Sequence, residues 1–293
     1  MANSIALAKQ YVPLLDEVYK EASLTSELDG NPELVSQGAN ANELIIPKLS
    51  MQGLGDYSRN SGYVTGDVTM TNETVHCNFD RGRMFTIDTM DNQETAGLAF
   101  GRLAGEFIRT KVVPELDAFR FAMYAGTSGI SKVDSGATLS AGADVIAALR
   151  VAVSKMNEDE VPLDQRYLFI TPTLFGLVQD LDTTKSREVL QNFAAIKQVP
   201  QTRFYTAITQ YDGSSSGEEA GGYIKNASSG KDINFMIIHK PALIQFQKHI
   251  APKIITPEQN QDADAWKFGY RNVGIADVYD NKVAGIYLHH KAS

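Results

Sequence analysis

The residue types that could do chemistry are present, but they do not converge. Five histidines stand at 76, 239, 249, 289 and 290, and Cys77 is the single cysteine. A metal site draws His, Cys or carboxylates together at short, recognisable spacings. Neither HExxH nor CxxC occurs. His76 and Cys77 are neighbours on an alternating segment, so they point to opposite faces. No metal and no cofactor is expected. Gly213-Ser214-Ser215-Ser216-Gly217 satisfies G-x-S-x-G, the pattern of a serine nucleophile on a sharp strand–turn–helix. It sits in a Gly/Ser-rich stretch followed by Glu218-Glu219, which reads as a solvent loop. No phosphate-cradling glycine motif follows a predicted strand. Asp56, Asp67, Glu73, Asp80, Asp88 and Asp91 have no spacing that would bring two carboxylates into one cleft as acid and base. They read as solvation of an exposed arm.

Asp80-Arg81-Gly82-Arg83 is a different case. Two arginines flank a glycine at the base of a β excursion. Their forks could grip carboxylates of a neighbouring subunit bidentately. The plainer alternative is surface ion pairs, worth about 0–1 kcal/mol each. With no catalytic constellation in view, an enzyme is not expected.

The elements that must position these residues are unusual. Residues 5–22 carry apolar positions at helical spacing, interrupted by Pro13. This is either a surface helix or an arm lying on another subunit. Glu43–Leu49 reads as a strand with Pro47 at an edge. Residues 51–62 have loop chemistry. Val64, Gly66, Val68 and Met70 then alternate with polar residues, as do Val75, Cys77 and Phe79, so half-polar strands are predicted. Arg81-Gly82-Arg83 is expected to interrupt them before Met84–Ile87 returns to the body. Asp91 caps a predicted helix running from Asn92 to Ala125 with a kink at Pro114, about 50 Å long. Ser140 is the expected cap of the next helix, and Thr171-Pro172 opens another. Tyr167–Ile170 and Ile233–His239 are short buried strands, and 253–291 is a β tail. A β arm without a core of its own, joined to so long a helix, points to surface built for other copies of the chain.

The 293 residues carry 27 Lys and Arg against 35 Asp and Glu, a net charge of −8. That argues against a nucleic-acid groove, which needs clustered cations. A container for DNA would instead repel its contents weakly. One cysteine excludes an internal disulfide framework and fits a reducing compartment. No signal peptide and no run of about 18–20 apolar residues is visible.

Several phrases resemble the major capsid proteins of tailed bacteriophages, in a branch from Gram-positive hosts. They are Pro47-Lys48-Leu49-Ser50, Gly53 through Asn60, Gly62 through Val68, Asp80 through Arg83, Met90 through Thr95, Glu106 through Arg109, Asp117 through Arg120, and Val199 through Tyr205. The resemblance implies an α+β fold, the Hong Kong phage type shared with herpesvirus shells. It would have an N-terminal arm (1–42), an extended β loop (43–87), a peripheral domain with the spine helix (88–139), an axial domain (140–250) and peripheral C-terminal strands (251–293). It implies a virion shell protein, assembled in the host cytoplasm as pentamers and hexamers around double-stranded DNA, with scaffold, portal and decoration proteins as further partners. Lys48, Tyr57, Arg59, Asp67, Arg81, Arg83, Arg109 and Arg203 are the expected intersubunit contacts. No cross-link at Lys48 is expected. The half-polar arm is expected to pair between subunits without exposing a large apolar patch, and removal of 50–80 to leave a folded subunit. The alternatives are an encapsulin-type nanocompartment shell and, from a different class, a soluble α/β enzyme.

Overall fold

The computed structural model describes residues 23–30, 36–37, 43–90, 98–181 and 184–292. The expected helix over 5–22 and the Asp91 cap lie outside them. The first strands form a small antiparallel sheet. Strand β1 (Ser36–Gln37) pairs with β2 (Glu43–Met51), which pairs with β3 (Val68–His76). β4 (Phe79–Asp88) leaves the hairpin and joins β11 (Leu243–Ile255) and β12 (Ala265–Val278) in an antiparallel sheet ordered β11–β12–β4.

The Arg-Gly-Arg segment does not interrupt β4. Arg81, Gly82 and Arg83 pair in unbroken register with Asn272, Arg271 and Tyr270. The glycine is what permits this. A Cβ on Gly82 would lie 2.8 Å from the Tyr270 carbonyl oxygen and 3.4 Å from Arg271 Cα, both backbone atoms with little room to give. Gly82→Ala should therefore destabilise the unassembled subunit by about 1–3 kcal/mol, although alanine normally suits a strand better than glycine. An unchanged or raised thermal midpoint would refute the close-approach argument.

The spine helix follows. α1 (Leu98–Phe107) passes through a π-helical turn (Ile108–Val112) into α2 (Val113–Gly126). Together they span about 43 Å at 1.5 Å per residue. Where a kink was expected, a π-helical turn ends two residues before Pro114. Pro114 sits at the start of α2, where its missing N–H and its ring are absorbed by the wider turn just before it. The helix runs on with helical dihedrals at Phe107, Val112 and Val113.

Beyond β5 (Ser131–Lys132) lies an α/β unit. α3 (Gly142–Glu158), β6 (Arg166–Ile170), α4 (Pro172–Gln179), α5 (Thr184–Leu190) and β7 (Ala195–Gln198) lead to the small hairpin β8 (Ile208–Gln210) and β9 (Tyr223–Lys225), then β10 (Ile233–His239). α3 is capped one residue later than expected, at Ala141, whose N–H donates to the Asp144 carboxylate at 3.2 Å. The C-terminal strand β13 (Ile286–His290) does not continue the β11–β12 sheet. It crosses into a five-stranded sheet ordered β5–β13–β10–β6–β7, so β5 and β13 complete a sheet whose other strands lie within 140–250.

Packing explains the arrangement. β10 is buried along its whole length. Phe235 and Ile237 face α3, α4 and α5, whereas Met236 and Ile238 face the spine helix. A strand covered on both sides reads as a continuous apolar run. On the other sheet, Phe85 and Tyr270 pack on Phe107 at ring distances of 4.8 and 6.2 Å, and Phe79 packs on Phe119 at 5.0 Å. Phe121 meets Phe169 and Phe204 at 5.1 and 4.9 Å. One core thus runs under the spine helix from the three-stranded to the five-stranded sheet.

Candidate functional site

The feature the core does not account for is the arm. β2 and β3 form a two-stranded ribbon of nine paired positions, from Glu43–His76 to Met51–Val68. At about 3.4 Å per residue it reaches roughly 30 Å. Its base is anchored, since Val75 packs with Ile244 and Ile275. Its outer half is bare. Met51, Leu54, Tyr57, Tyr63, Val64, Val68 and Met70 are all more than 60% exposed. The expectation that the arm would expose no large apolar patch is therefore overturned. The alternation is real, but among the described residues nothing covers these apolar side chains. A contiguous exposed patch of this kind marks an interaction surface.

The tip between the strands has its own shape. Ser58 and Gly62 exchange backbone hydrogen bonds of 3.2 and 2.8 Å, and the Ser58 hydroxyl oxygen accepts from the N–H groups of Asn60 and Ser61. Gly62 has φ near +79°, a conformation only glycine adopts without strain. Tyr57 and Tyr63 meet edge to face at 4.9 Å. At the neck, the Gln52 N–H donates to the Asp67 carbonyl, and the Asp67 N–H donates to Gln52 Oε1. Tyr57, Arg59 and Asp67 thus stand on the exposed tip, and Lys48 pairs with Thr71 in the ribbon.

The other expected contact residues are engaged inside their own chain. Arg81 Nε lies 2.8 Å from Glu115 on the spine helix, and its Nη2 donates to the Tyr211 carbonyl at 2.7 Å. Arg83 donates to the Glu219 carbonyl at 2.9 Å. These arginines staple the 211–222 loop over β4. Arg109 pairs with Glu106 on the helix surface, and Arg203 reaches buried Asp117 at 3.4 Å. Asp80 pairs with Arg271, whose Nε and Nη2 lie 2.8 and 2.5 Å from its two oxygens.

The G-x-S-x-G segment lies in that same loop, which joins β8 to β9 and leads to no helix. Ser215 donates to Asp212. That hydroxyl, with the N–H groups of Ser214 and Ser215, holds the Asp212 carboxyl well below the usual carboxylate range. This is turn chemistry, not a nucleophile elbow. Among the described residues, no three His, Cys, Asp or Glu side chains gather as a metal site, and no helix is long and apolar enough to cross a membrane.

Three known structures bear on the arrangement. One titled for Mycobacterium phage Che8 is 14% identical, covers 91% of this chain and 90% of its own, and has a TM-score of 0.61. The capsid of cyanophage P-SCSP1u is 13% identical over 93% and 89%, with a TM-score of 0.58. This is a phage-capsid fold. The third, a virus-like particle from Pyrococcus furiosus, is 10% identical over 94% and 95%, at 0.56. No protein-family model matches the chain, and no curated protein matches its sequence. The capsid fold accounts for the order found here, with a projecting β arm, a long spine helix and an α/β unit. The expected mixed α+β capsid architecture is the one observed.

Sequence reasoning missed two features. Ser23, Thr25 and Asp29 clasp Asp117 and Arg120 on the spine helix across more than 90 residues of chain, and no local pattern announces such a contact. Asn272 is buried on β12 with neither side-chain amide atom hydrogen-bonded. No local pattern marks it, since β12 also carries Lys267, Arg271 and Asp277.

Proposed function

We propose that this chain is the major capsid protein of a tailed phage, assembling as pentamers and hexamers into an icosahedral shell around double-stranded DNA. The observation that carries the reading is the uncovered apolar arm on a fold shared with phage capsids. An isolated subunit gains nothing from a 30 Å ribbon with a bare apolar face, whereas a neighbour that covers it gains the buried area. In this reading the β2–β3 arm lies across an adjacent subunit, and β4, the spine helix, β11 and β12 form the peripheral domain. The α/β unit built on 140–250 meets its copies at the five- and six-fold axes, and the N-terminal arm reaches a neighbour from 23–30, which is itself held to its own spine helix. Lys48, Tyr57, Arg59 and Asp67 are the arm's contact residues. The shell carries no enzymatic activity, is located in the virion, and works alongside scaffold, portal and decoration proteins. A net charge of −8 suits a container from which DNA must later leave.

The likeness to the Pyrococcus furiosus virus-like particle, which extends over nearly the whole chain, supports a second reading, a nanocompartment enclosing protein cargo. Both readings share the shell, and nuclease-protected DNA inside purified particles decides between them.

The arm tests the shell itself. The structure narrows the segment to remove. Phe79 is buried against the spine helix, and Asn78 holds both the N–H and the carbonyl of Ala276. Deleting 50–80 would damage the core, contrary to the sequence expectation. Replacing 53–66 by a two-residue turn should leave a folded subunit. Electron microscopy of the intact chain should show closed particles, and the shortened chain should give only capsomers or free subunits. Closed particles from the shortened chain would sink the proposal.

A further inference from the structure

Arg166 opens β6 as a cation with 0% of its surface exposed. Its Nε donates to the Pro162 carbonyl at 2.8 Å and its Nη2 to the Val161 carbonyl. Nη1 is buried and donates to nothing. Among the described residues no carboxylate pairs with this guanidinium, and burial lowers its pKa. Two neutral carbonyls satisfy hydrogen bonds but not the charge, and a buried charge is costly unless it is paired.

Its neighbours deepen the deficit. His239 ends β10 as the cross-strand partner of Arg166, so the two side chains share one face of the sheet. Lys282, on the short helical connection Asp280–Gly285, acts on the same imidazole. Burial first, then Arg166 and Lys282, hold the His239 pKa below its ordinary value. Among the described residues, Lys282 Nζ meets the Pro241 carbonyl at 3.2 Å and the Tyr279 ring face at 5.0 Å, but no carboxylate. A water would complete the Nη1 hydrogen bonds and leave the charge. An oxyanion answers both.

The cluster stands where the chain passes between its two larger sheets. Lys240–Ala242 carries it from β10 to β11, and Asp280–Gly285 carries it back from β12 to β13. The Tyr279 N–H donates to the Ala242 carbonyl at 3.0 Å, which ties the two connections together. The Lys240 N–H donates to the Gln165 carbonyl at 3.1 Å, which ties them to the loop before β6. That loop lies over the guanidinium that grips it. Glu160 and Gln165 near its ends have φ of 56° and 60°, left-handed values that strain any residue but glycine. Residues 162–165 are exposed. So short, strained and exposed a cover can open locally to admit a small ion.

We infer that this crossover is a site for one small oxyanion, held by Arg166, His239 and Lys282. The ion is either free, of sulfate or phosphate type, or a carboxylate group of a second copy of the chain. Bound there, it joins the start of β6 to both connections and braces the α/β unit against the three-stranded sheet.

The test uses the full chain, heated unassembled in millimolar sodium sulfate and in sodium chloride of equal ionic strength. Sulfate should raise the wild-type thermal midpoint over chloride by about 2–4 °C. Lys282→Met, an exposed change, should lose most of that rise, and Lys282→Arg should keep it. Sulfate also stabilises proteins by exclusion from their surface, but that effect would survive in both variants. Arg166→Met should abolish the rise as well; the Lys282 pair decides the matter even where Arg166→Met does not fold. No rise over chloride, or an equal rise in wild type and Lys282→Met, would overturn the site. The rise should be larger near pH 6 than near pH 8, because the ion offsets the charges of Arg166 and Lys282 and so favours protonated His239. A rise independent of pH would overturn the part given to His239. Assembly then separates the two sources. Sulfate should raise the concentration needed for particles where a carboxylate of a second copy is the natural occupant, and should leave it unchanged or lower it where the ion is free.

Discussion

Asp117→Ala should cost the unassembled subunit about 3–5 kcal/mol in a denaturant titration, a large part of the 5–15 kcal/mol that typically holds a domain folded. Asp117 is fully buried on α2. It accepts hydrogen bonds from Ser23 Oγ at 2.9 Å, Leu24 N at 3.1 Å, Thr25 N at 3.4 Å and Thr25 Oγ1 at 2.7 Å, with Arg203 at 3.4 Å. Removing the carboxylate leaves four donors of the 23–25 segment without an acceptor in a place water does not reach, so the penalty is their full desolvation. The damage should spread through a connected network. Arg120 holds Thr25 and Asp29, and Gln245 bridges Asp29, the Thr25 carbonyl and the Tyr124 hydroxyl. Residues 23–30 should then become a preferred site of proteolytic cutting. The exposed pair Asp80–Arg271 has equally short contacts, yet Arg271→Ala should leave stability nearly unchanged, because solvent screens the pair. Comparable losses in the two variants would show that the 23–30 segment is not fixed by its buried clasp.

The clasp also illustrates where the sequence stops being legible. Patterns that depend on a near neighbour could be read directly. The apolar run of β10, Thr171-Pro172 opening α4 and the alternation through Val68 and Met70 all belong to this class. Features that depend on what lies across a sheet could not. Arg81-Gly82-Arg83 looked like a break because its charges are adjacent in sequence. In the fold each side chain has its own partner, and the glycine admits the Tyr270 carbonyl. Nothing in the sequence Ile286–His290 marks it for the five-stranded sheet rather than the β11–β12 sheet; its place between β5 and β10, where every residue is buried, is decided by packing across the fold. The arm was read as an arm, but as one that pairs between subunits without exposing a large apolar patch. Whether a half-apolar ribbon is covered is a property of packing, and among the described residues nothing covers its outer half.

Acid should loosen the α/β unit through His289. This imidazole is buried on β13, stacked on Phe235 at 4.9 Å, with its Nδ1 accepting from Asn234 Nδ2 at 3.0 Å. Burial, with neighbouring His290 adding to it, lowers its pKa from 6.5 to about 4. The unfolded chain therefore binds this proton more readily than the folded one. The stability is fully present above pH 6.5, falls as the pH drops toward 4, and falls no further from this group below that. The whole shift is worth about 3 kcal/mol, of which roughly 1.5 kcal/mol is lost between pH 6.5 and 5. In that interval ordinary carboxylates remain largely ionised, so the slope can be assigned. His239 is shifted the same way, mainly by burial and then by Arg166 and Lys282, and adds to it. Protonating His289 would also set two donors face to face, since Asn234 Nδ2 is committed to Ala137 O as well. His289→Asn retains an acceptor near the Nδ1 position and cannot titrate. It should lower stability at pH 7.5 slightly, through the lost ring contact, and flatten the decline between pH 6.5 and 5. A decline of undiminished slope in that variant would place the acid sensitivity elsewhere in the chain.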